Sequence, residues 1–481
     1  MNIDTIKSLI LKQFPYNATS GQKTLINKLA DFLINGNKNS LFLLRGYAGT
    51  GKTTIVSSLV KILPVINKKS VLLAPTGRAA KVLSVYSGKK AFTIHKNIYF
   101  PRTTKDGRIA LTLKQNHQKN TLFIVDEASM IPDNSKVTDI SLFAQRSLLD
   151  DLIKYVYNGD DCRLIFIGDS AQLPPVGLSI SPALDKNFLQ NSYDISIFSY
   201  ELKEVMRQSL KSGILANATN IRYKINNKKY EFPFFFLKSY NDIEKITGIE
   251  LEDLLNDTYS KYGSENTIVV TRSNKRANIF NREIRNRILY REDEIAAGDY
   301  MMVVRNNYFW LPSDSKAGFI ANGDIIELQR IRKIEEIYGF RFADVSIRLI
   351  DYPDEKEIDV KILLNTIMAE TPSLPINDSK KLFDEIIKDY ENIPRKRSRV
   401  EKVINNPYYN ALQVKFSYAL TCHKTQGGQW DAVFIDQGYI TDQMINHEFL
   451  RWLYTAMTRA IKKLYLINFN DKFFKNKKSK L

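Results

Sequence analysis

Gly46-Tyr47-Ala48-Gly49-Thr50-Gly51-Lys52-Thr53 decides the reading of this chain. It fills every fixed position of G-x-x-x-x-G-K-[ST]. It follows the apolar run Leu41-Phe42-Leu43-Leu44 and opens a helical pattern from Thr53 to Leu63. A buried strand, a glycine-rich turn and a helix start together make a cradle for phosphate. The glycines let backbone N–H groups turn inward, and the helix end adds partial positive charge. In such a cradle Lys52 reaches the β- and γ-phosphates of a nucleoside triphosphate, and the Thr53 hydroxyl ligates Mg2+.

Working outward, the same strand style recurs. Leu122-Phe123-Ile124-Val125 ends in Asp126-Glu127, two carboxylates at the tip of a buried strand. Asp126 is placed to hold Mg2+, and Glu127 to polarise an attacking water as general base. Leu164-Ile165-Phe166-Ile167 leads into Gly168-Asp169-Ser170-Ala171-Gln172, where the neutral Gln172 amide suits a γ-phosphate or its water. Val71-Leu72-Leu73 is a further strand. Continuous apolar strands alternating with helices predict a parallel sheet covered on both faces. Thr267–Val270, Ala432–Ile435 and Lys463–Ile467, with helical stretches at Asn274–Leu289 and His447–Ala460, predict a second α/β domain in tandem. Between them, Met301–Val304, Asp324–Arg332 and Phe342–Leu349, with turns at Asn322-Gly323 and Tyr338-Gly339, predict a small β-barrel over about 305–412. A helical excursion near Asp378–Tyr390 accompanies it.

Composition bounds the partner. The 481 residues are 44% apolar and 25% charged and include 54 aromatic side chains, which excludes a disordered chain, a collagen-like fibre or a disulfide scaffold. Lys and Arg exceed Asp and Glu by 18, an excess that suits an anionic partner. Cys162 and Cys422 lie far apart, and four scattered histidines offer no metal spacing. The sequence has no apolar run of about 20 residues for crossing a bilayer. The start, broken by Asp4, Lys7 and Lys12, does not read as a signal peptide. The expectation is a soluble, intracellular protein that makes no use of a membrane.

In order along the chain, GYAGTGKTT, LLAPTGRAA (Leu72–Ala80), Thr93-Ile94-His95, IVDEASM (Ile124–Met130), GDSAQLPPVG (Gly168–Gly177), LKEVMRQ (Leu202–Gln208), YALTCHKTQGGQWD (Tyr418–Asp431) and LYTAMTRA (Leu453–Ala460) resemble motifs I, Ia, the short motif after it, II, III, IV, V and VI of superfamily 1 helicases of the B branch. The resemblance is to the RecD/Dda type, with the Pif type beside it, and runs from about Gln22 to Ile467. It implies two tandem RecA-like P-loop domains, a β-hairpin pin in the first and an SH3-like β-barrel in the second. On this pattern the first domain takes 1–210, with the pin at about 96–119. The second takes 211–304 and 413–471, the barrel with its excursion takes 305–412, and 472–481 is a basic tail.

The resemblance also implies roles. Gly46, Ala48, Gly49, Thr50, Gly51, Lys52, Thr53, Thr54, Asp126 and Gly427 would line the ATP site, with Gln22 reading adenine. Arg207 and Arg459 would act as arginine fingers beside Lys52, Glu127 and Gln172. Thr76, His95, Thr271, Asn274, Thr421 and His423 would touch single-stranded DNA. The segment around Lys105-Asp106-Gly107 would be the pin, and the excursion over about 361–406 a brace for it. The implied activity is ATP- and Mg2+-dependent 5′→3′ unwinding of DNA by a monomer at single-strand/duplex junctions, in a bacterial or phage-encoded cytoplasmic protein. The alternatives are a translocase that strips proteins from DNA, an RNA-directed motor of the same branch, and a non-catalytic subunit of a repair complex. Trp430 departs from the pattern as a large aromatic in motif V, for packing or for base stacking.

Overall fold

The computed structural model describes residues 2–103, 109–132, 147–204, 212–312, 315, 317–353 and 355–474. The first part holds β1 (Ser40–Gly46), β2 (Lys69–Ala74), β3 (Ala91–Thr93), β4 (Tyr99–Thr103), β5 (Ile109–Leu113), β6 (Thr121–Val125), β7 (Arg163–Gly168) and β8 (Ser196–Leu202). Six of these form one all-parallel sheet in the order β3-β2-β6-β7-β1-β8. The alternation of a strand explains its two cores. Leu41 and Leu43 pack under helix Leu148–Tyr157, while Phe42 and Leu44 pack under helices Ile3–Gln13, Ser20–Asn35 and Lys52–Ile62. Each such side chain is fully buried and contributes roughly 1.5–3 kcal/mol. The remaining pair, β4 and β5, is an antiparallel hairpin running from Tyr99 opposite Leu113 to Thr103 opposite Ile109. The expected pin tip at Lys105–Arg108 lies outside the described residues.

The second part holds β9 (Ile243–Ile246), β10 (Thr267–Thr271), β11 (Tyr300–Val303), β12 (Ile325–Ile337), β13 (Phe340–Leu349), β14 (Ile358–Leu363), β15 (Leu412–Phe416), β16 (Ala419–Thr421), β17 (Trp430–Asp436) and β18 (Ala460–Ile467). The order β16-β10-β17-β18-β9 makes a second all-parallel sheet. Strands β11 to β15 close into a five-stranded barrel, the insert the sequence pattern anticipates. Its long hairpin turns at Tyr338 and Gly339 with φ of 58° and 72°, the left-handed pair that a two-residue hairpin needs. Val269, Phe434 and Ile467 of the sheet share one apolar cluster with Met301, Ile326, Val345 and Val414 of the barrel, so the insert is welded to the second domain.

The excursion is helical at Ile376–Ile386 and Lys396–Ile404. It packs on the barrel hairpin through Phe340, Phe342, Leu382, Ile386 and Val403. The helix expected over Asn274–Leu289 ends at Glu283 and continues as a π turn, Ile284–Ile288. There Arg285 turns inward to pair with the buried Asp299 at 3.1 Å. Among the described residues, no helix is long and apolar enough to cross a membrane.

Candidate active site and nucleic-acid interface

The strand order β6-β7-β1 sets three loop tips side by side at the carboxyl edge of the first sheet, where parallel sheets bind ligands. The Gly46–Thr53 loop follows β1. Gly49 and Gly51 take φ of 75° and 85°, so the loop can fold its N–H groups inward. The Lys52 ammonium donates to the Gly46 and Tyr47 carbonyls at 2.6 and 2.9 Å, across the mouth of the loop. Asp126 and Glu127 follow β6. The Glu127 N–H donates to Asp126 Oδ1 at 2.8 Å, and Glu127 holds φ of 52°, uncommon for a residue with a side chain. Burial, with Glu127 beside it, pushes the Asp126 carboxyl up to about 6. Gln172 follows β7. It is buried, and its Oε1 has no hydrogen-bond partner. A cationic lysine on two carbonyls, a raised carboxyl and an orphaned amide oxygen together fit a triphosphate and a hard cation.

Gln22 stands against this loop and is buried. Its Nε2 donates to the Thr50 carbonyl at 3.0 Å, and its Oε1 accepts from the Thr19 N–H in a capping box. Arg207 lies outside the described residues.

The second domain closes the cleft. Arg459 approaches Glu127 with NH1 4.0 Å from Oε1, while its other donors hold the Thr455 and Gly428 carbonyls and the Thr458 hydroxyl. Tyr454 donates to Asp169 Oδ2 at 2.6 Å, and the Ala48 N–H at the tip of the phosphate loop reaches both. Arg451 donates to the Gln172, Ser179 and Ser170 carbonyls at 2.7, 2.6 and 3.0 Å. The Leu173 N–H donates to Thr455 Oγ1 at 2.9 Å, and Gln426 donates to the Leu173 carbonyl at 2.7 Å. The segment carrying Gln172 is therefore held by side chains of the other domain. Gly427 takes φ of 73° and lies so close to helix Gly77–Ser87 that a Cβ there would come within 2.7 Å of Ala79.

The six expected DNA contacts divide. Thr76 and Thr421 are half-buried and His423 is exposed, and Thr76 lies at the seam beside Gly427. The Asn274 amide donates to the Glu370 carbonyl at 2.9 Å. Thr271 is fully buried, its hydroxyl spent on the Ser273 and Leu420 carbonyls, so it supports the face from beneath rather than lining it. Burial pushes His95 down to about 4, leaving a neutral imidazole tilted on Tyr99. Trp430 is 3% exposed, beneath the Arg78 guanidinium at 3.9 Å, so it packs the domain seam in this state.

Sequence reasoning missed Arg451, Tyr454, Thr455 and Gln426, whose partners sit some 280 residues away or more in most cases. It also missed Lys424. This side chain follows His423, and its ammonium is buried without a hydrogen-bond partner. Burial, with the like charge of Lys415 nearby, pushes it down to about 8. Lys415 is likewise held at about 8, its ammonium donating to the Ala369 carbonyl. Two cations without a carboxylate were the available signal, but only the fold brings them together.

Residues 33–178 match the model of the AAA domain, and residues 416–467 match that of the UvrD-like helicase C-terminal domain. The two matches fall on the two walls of one cleft. The RecBCD enzyme subunit RecD of Buchnera aphidicola is 26% identical over 98% of this chain and 77% of its own length. The ATP-dependent DNA helicase dda of Enterobacteria phage T4 is 30% identical over 42% of each chain. A solved Pif1 helicase at forked double-stranded DNA is 17% identical, with a TM-score of 0.48, over 96% of this chain and 95% of that one. Lys52 and Glu127 on one wall of the cleft thus fall within the AAA-domain match, and Arg459, which faces them, falls within the match to the UvrD-like helicase C-terminal domain.

Proposed function

We propose that this chain is an ATP-dependent DNA helicase that moves 5′→3′ on single-stranded DNA and unwinds the duplex ahead of it. The observation that carries the reading is the cross-cleft wiring. Arg459 reaches Glu127, and Arg451 grips the segment bearing Gln172, so nucleotide state and domain closure are one equilibrium. Lys52, Thr53 and Thr54 hold the triphosphate; Thr53 and Asp126 hold Mg2+, which offsets phosphate charge when bound. Glu127 takes the proton of the attacking water, Gln172 orients it, and Arg459 with Arg207 neutralises developing charge. Thr76, Thr421 and His423 hold backbone phosphates without reading bases, with His95, Thr271 and Asn274 supporting them. One chain supplies both walls of the cleft, which supports action as a monomer.

Two partial duplexes, one with a 5′ tail and one with a 3′ tail, test the reading under ATP and Mg2+. Opening of the 5′-tailed duplex alone is expected. Opening of the 3′-tailed one alone overturns the polarity and keeps the motor. If neither opens while single-stranded DNA still stimulates ATP turnover, the chain is a translocase.

A further inference from the structure

The N-terminus of helix Gly77–Ser87 already faces an anion belonging to the chain itself. The barrel turn Ala321–Asp324 presses on it so closely that a Cβ on Gly77 would come within 2.4 Å of Asp324 Oδ1. Asp324 is 1% exposed and its Oδ1 has no hydrogen-bond partner. Its Oδ2 accepts from the Ala321 N–H at 2.8 Å and meets Lys96 Nζ at 3.4 Å. The Lys96 side chain, 6% exposed, also donates to the Tyr352 hydroxyl at 2.8 Å. Beside it, Lys81 pairs with Asp351 at 3.2 Å, and Asp351 Oδ2 is again buried without a partner. Thr76, the N-cap of this helix, lies under Gly323, where a Cβ would stand 4.0 Å from its own.

A helix N-terminus and two lysines attract negative charge. Two buried carboxylate oxygens with no donor fill that place poorly. A phosphodiester is the anion of matching charge that also belongs to a strand lying along Thr76. We propose that the start of helix Gly77–Ser87, with Lys96 and Lys81, is a phosphate seat for single-stranded DNA that Asp324 and Asp351 occupy in the DNA-free chain, so that DNA enters by displacing the barrel's own carboxylates. This rests on the DNA-motor reading and gives the barrel a gating role within it. Burial pushes the Asp324 carboxyl up to about 6, so at neutral pH the closed contact holds an ionised group at a cost. A contact held at a cost is one a better-suited anion can open. A permanently packed interface would instead make Asp324 indifferent or helpful to DNA binding.

The test measures binding of a fluorescein-labelled oligothymidylate by anisotropy, on the full chain. Asp324→Asn keeps the shape and removes the competing charge. It is expected to bind about ten-fold more tightly, since apparent affinity scales with the open fraction. A second variant joins Thr76→Cys with Gly323→Cys; a Cβ separation of 4.0 Å suits a disulfide. Cys162 and Cys422 are buried and do not compete for it. Because Thr76 itself touches the strand, the reference is the reduced form of the same variant, and oxidation is expected to weaken its DNA binding at least about ten-fold. Unchanged or weaker binding by a folded Asp324→Asn overturns the gate, as does undiminished binding by the oxidised pair. If wild type neither binds the oligonucleotide nor is stimulated by it, the motor reading falls and the gate with it.

Discussion

Lys424 carries a positive charge into a place with no counter-charge, and Lys415 adds a second. Both are pushed down to about 8 from an ordinary lysine value near 10.5. In the DNA-free chain each therefore loses its proton as pH rises through about 8. A phosphate beside them restores it. DNA binding should take up protons between about pH 8 and pH 10.5, and affinity should fall as pH rises through that window. Calorimetry near pH 9 in two buffers of different ionisation enthalpy reads this directly; identical heats would end the idea. Removing the cost has the opposite effect on folding. Lys424→Met should raise stability at neutral pH, on the order of 1 kcal/mol, while weakening DNA binding. Lys52→Ala behaves differently, because its ammonium serves the triphosphate and not the track. Hydrolysis should vanish with single-stranded DNA binding largely kept, and ATP turnover surviving that change would refute the phosphate-loop assignment. Lys52 was legible from spacing alone, since every partner is within six residues. Lys424 was not, since nothing local marks a lysine as buried.

Among the elements, the helix His447–Met457 is the coupling part. Its Arg451 satisfies three carbonyls of the Ser170–Ser179 segment, and its Tyr454 holds Asp169 against the phosphate loop. Charge-assisted bonds of this kind are worth about 1.5–3 kcal/mol each. Arg451→Ala should cut the DNA-stimulated turnover at least about ten-fold while leaving intrinsic turnover less affected. Arg451→Lys should not rescue it, because a point charge cannot span three carbonyls as a guanidinium fork does. Stimulation retained in full by Arg451→Ala would separate this helix from the coupling. The hairpin β4–β5 makes the second element-scale prediction. Deleting residues 105–108 should spare DNA-stimulated ATPase and impair strand separation; equal loss of both rules out a wedge. Central strands such as Leu41–Leu44 and Leu122–Val125 were legible because both of their faces are buried, which writes a continuous apolar run. The edge strand Ser196–Leu202 is only half-buried and mixed in character, so its sequence carried no comparable mark. The π turn after Glu283 was hidden for a related reason. An arginine in a basic helix reads as surface, and it is Asp299, 14 residues on, with the Asp293 carbonyl and the Phe416 ring, that draws Arg285 inside.

At the scale of the whole molecule, two parallel sheets meet across a cleft whose contents set their distance, and the net charge of +18 supplies a field for a polyanion. Such a field would hold a polyanion but would not move it. Directional motion requires the grip to change with nucleotide, and a ligand shifts an equilibrium only by its differential affinity for the two states. The seam offers that difference. Arg78 stacks on Trp430 and bonds the Gln429 carbonyl, and Gly427 lies on Ala79 beside Thr76, so any change in closure would alter the spacing of Thr76 from Thr421, two of the groups proposed to hold phosphate. Affinity for single-stranded DNA should therefore differ at least about five-fold between the ADP-bound chain and one holding a non-hydrolysable ATP analogue. The coupling should be reciprocal, with DNA shifting analogue affinity by the same factor. Lys52→Ala should abolish the difference without abolishing binding, since it removes nucleotide sensing and leaves the seam intact. Salt separates field from grip. Each neutralised phosphate contributes about 0.7 to the salt slope on single strands, so Lys424→Gln should lower the slope by about that amount in both nucleotide states. Equal affinities in the two states, at any salt concentration, would mean that ATP does not govern the grip of this chain, and a motor with a constant grip does not advance.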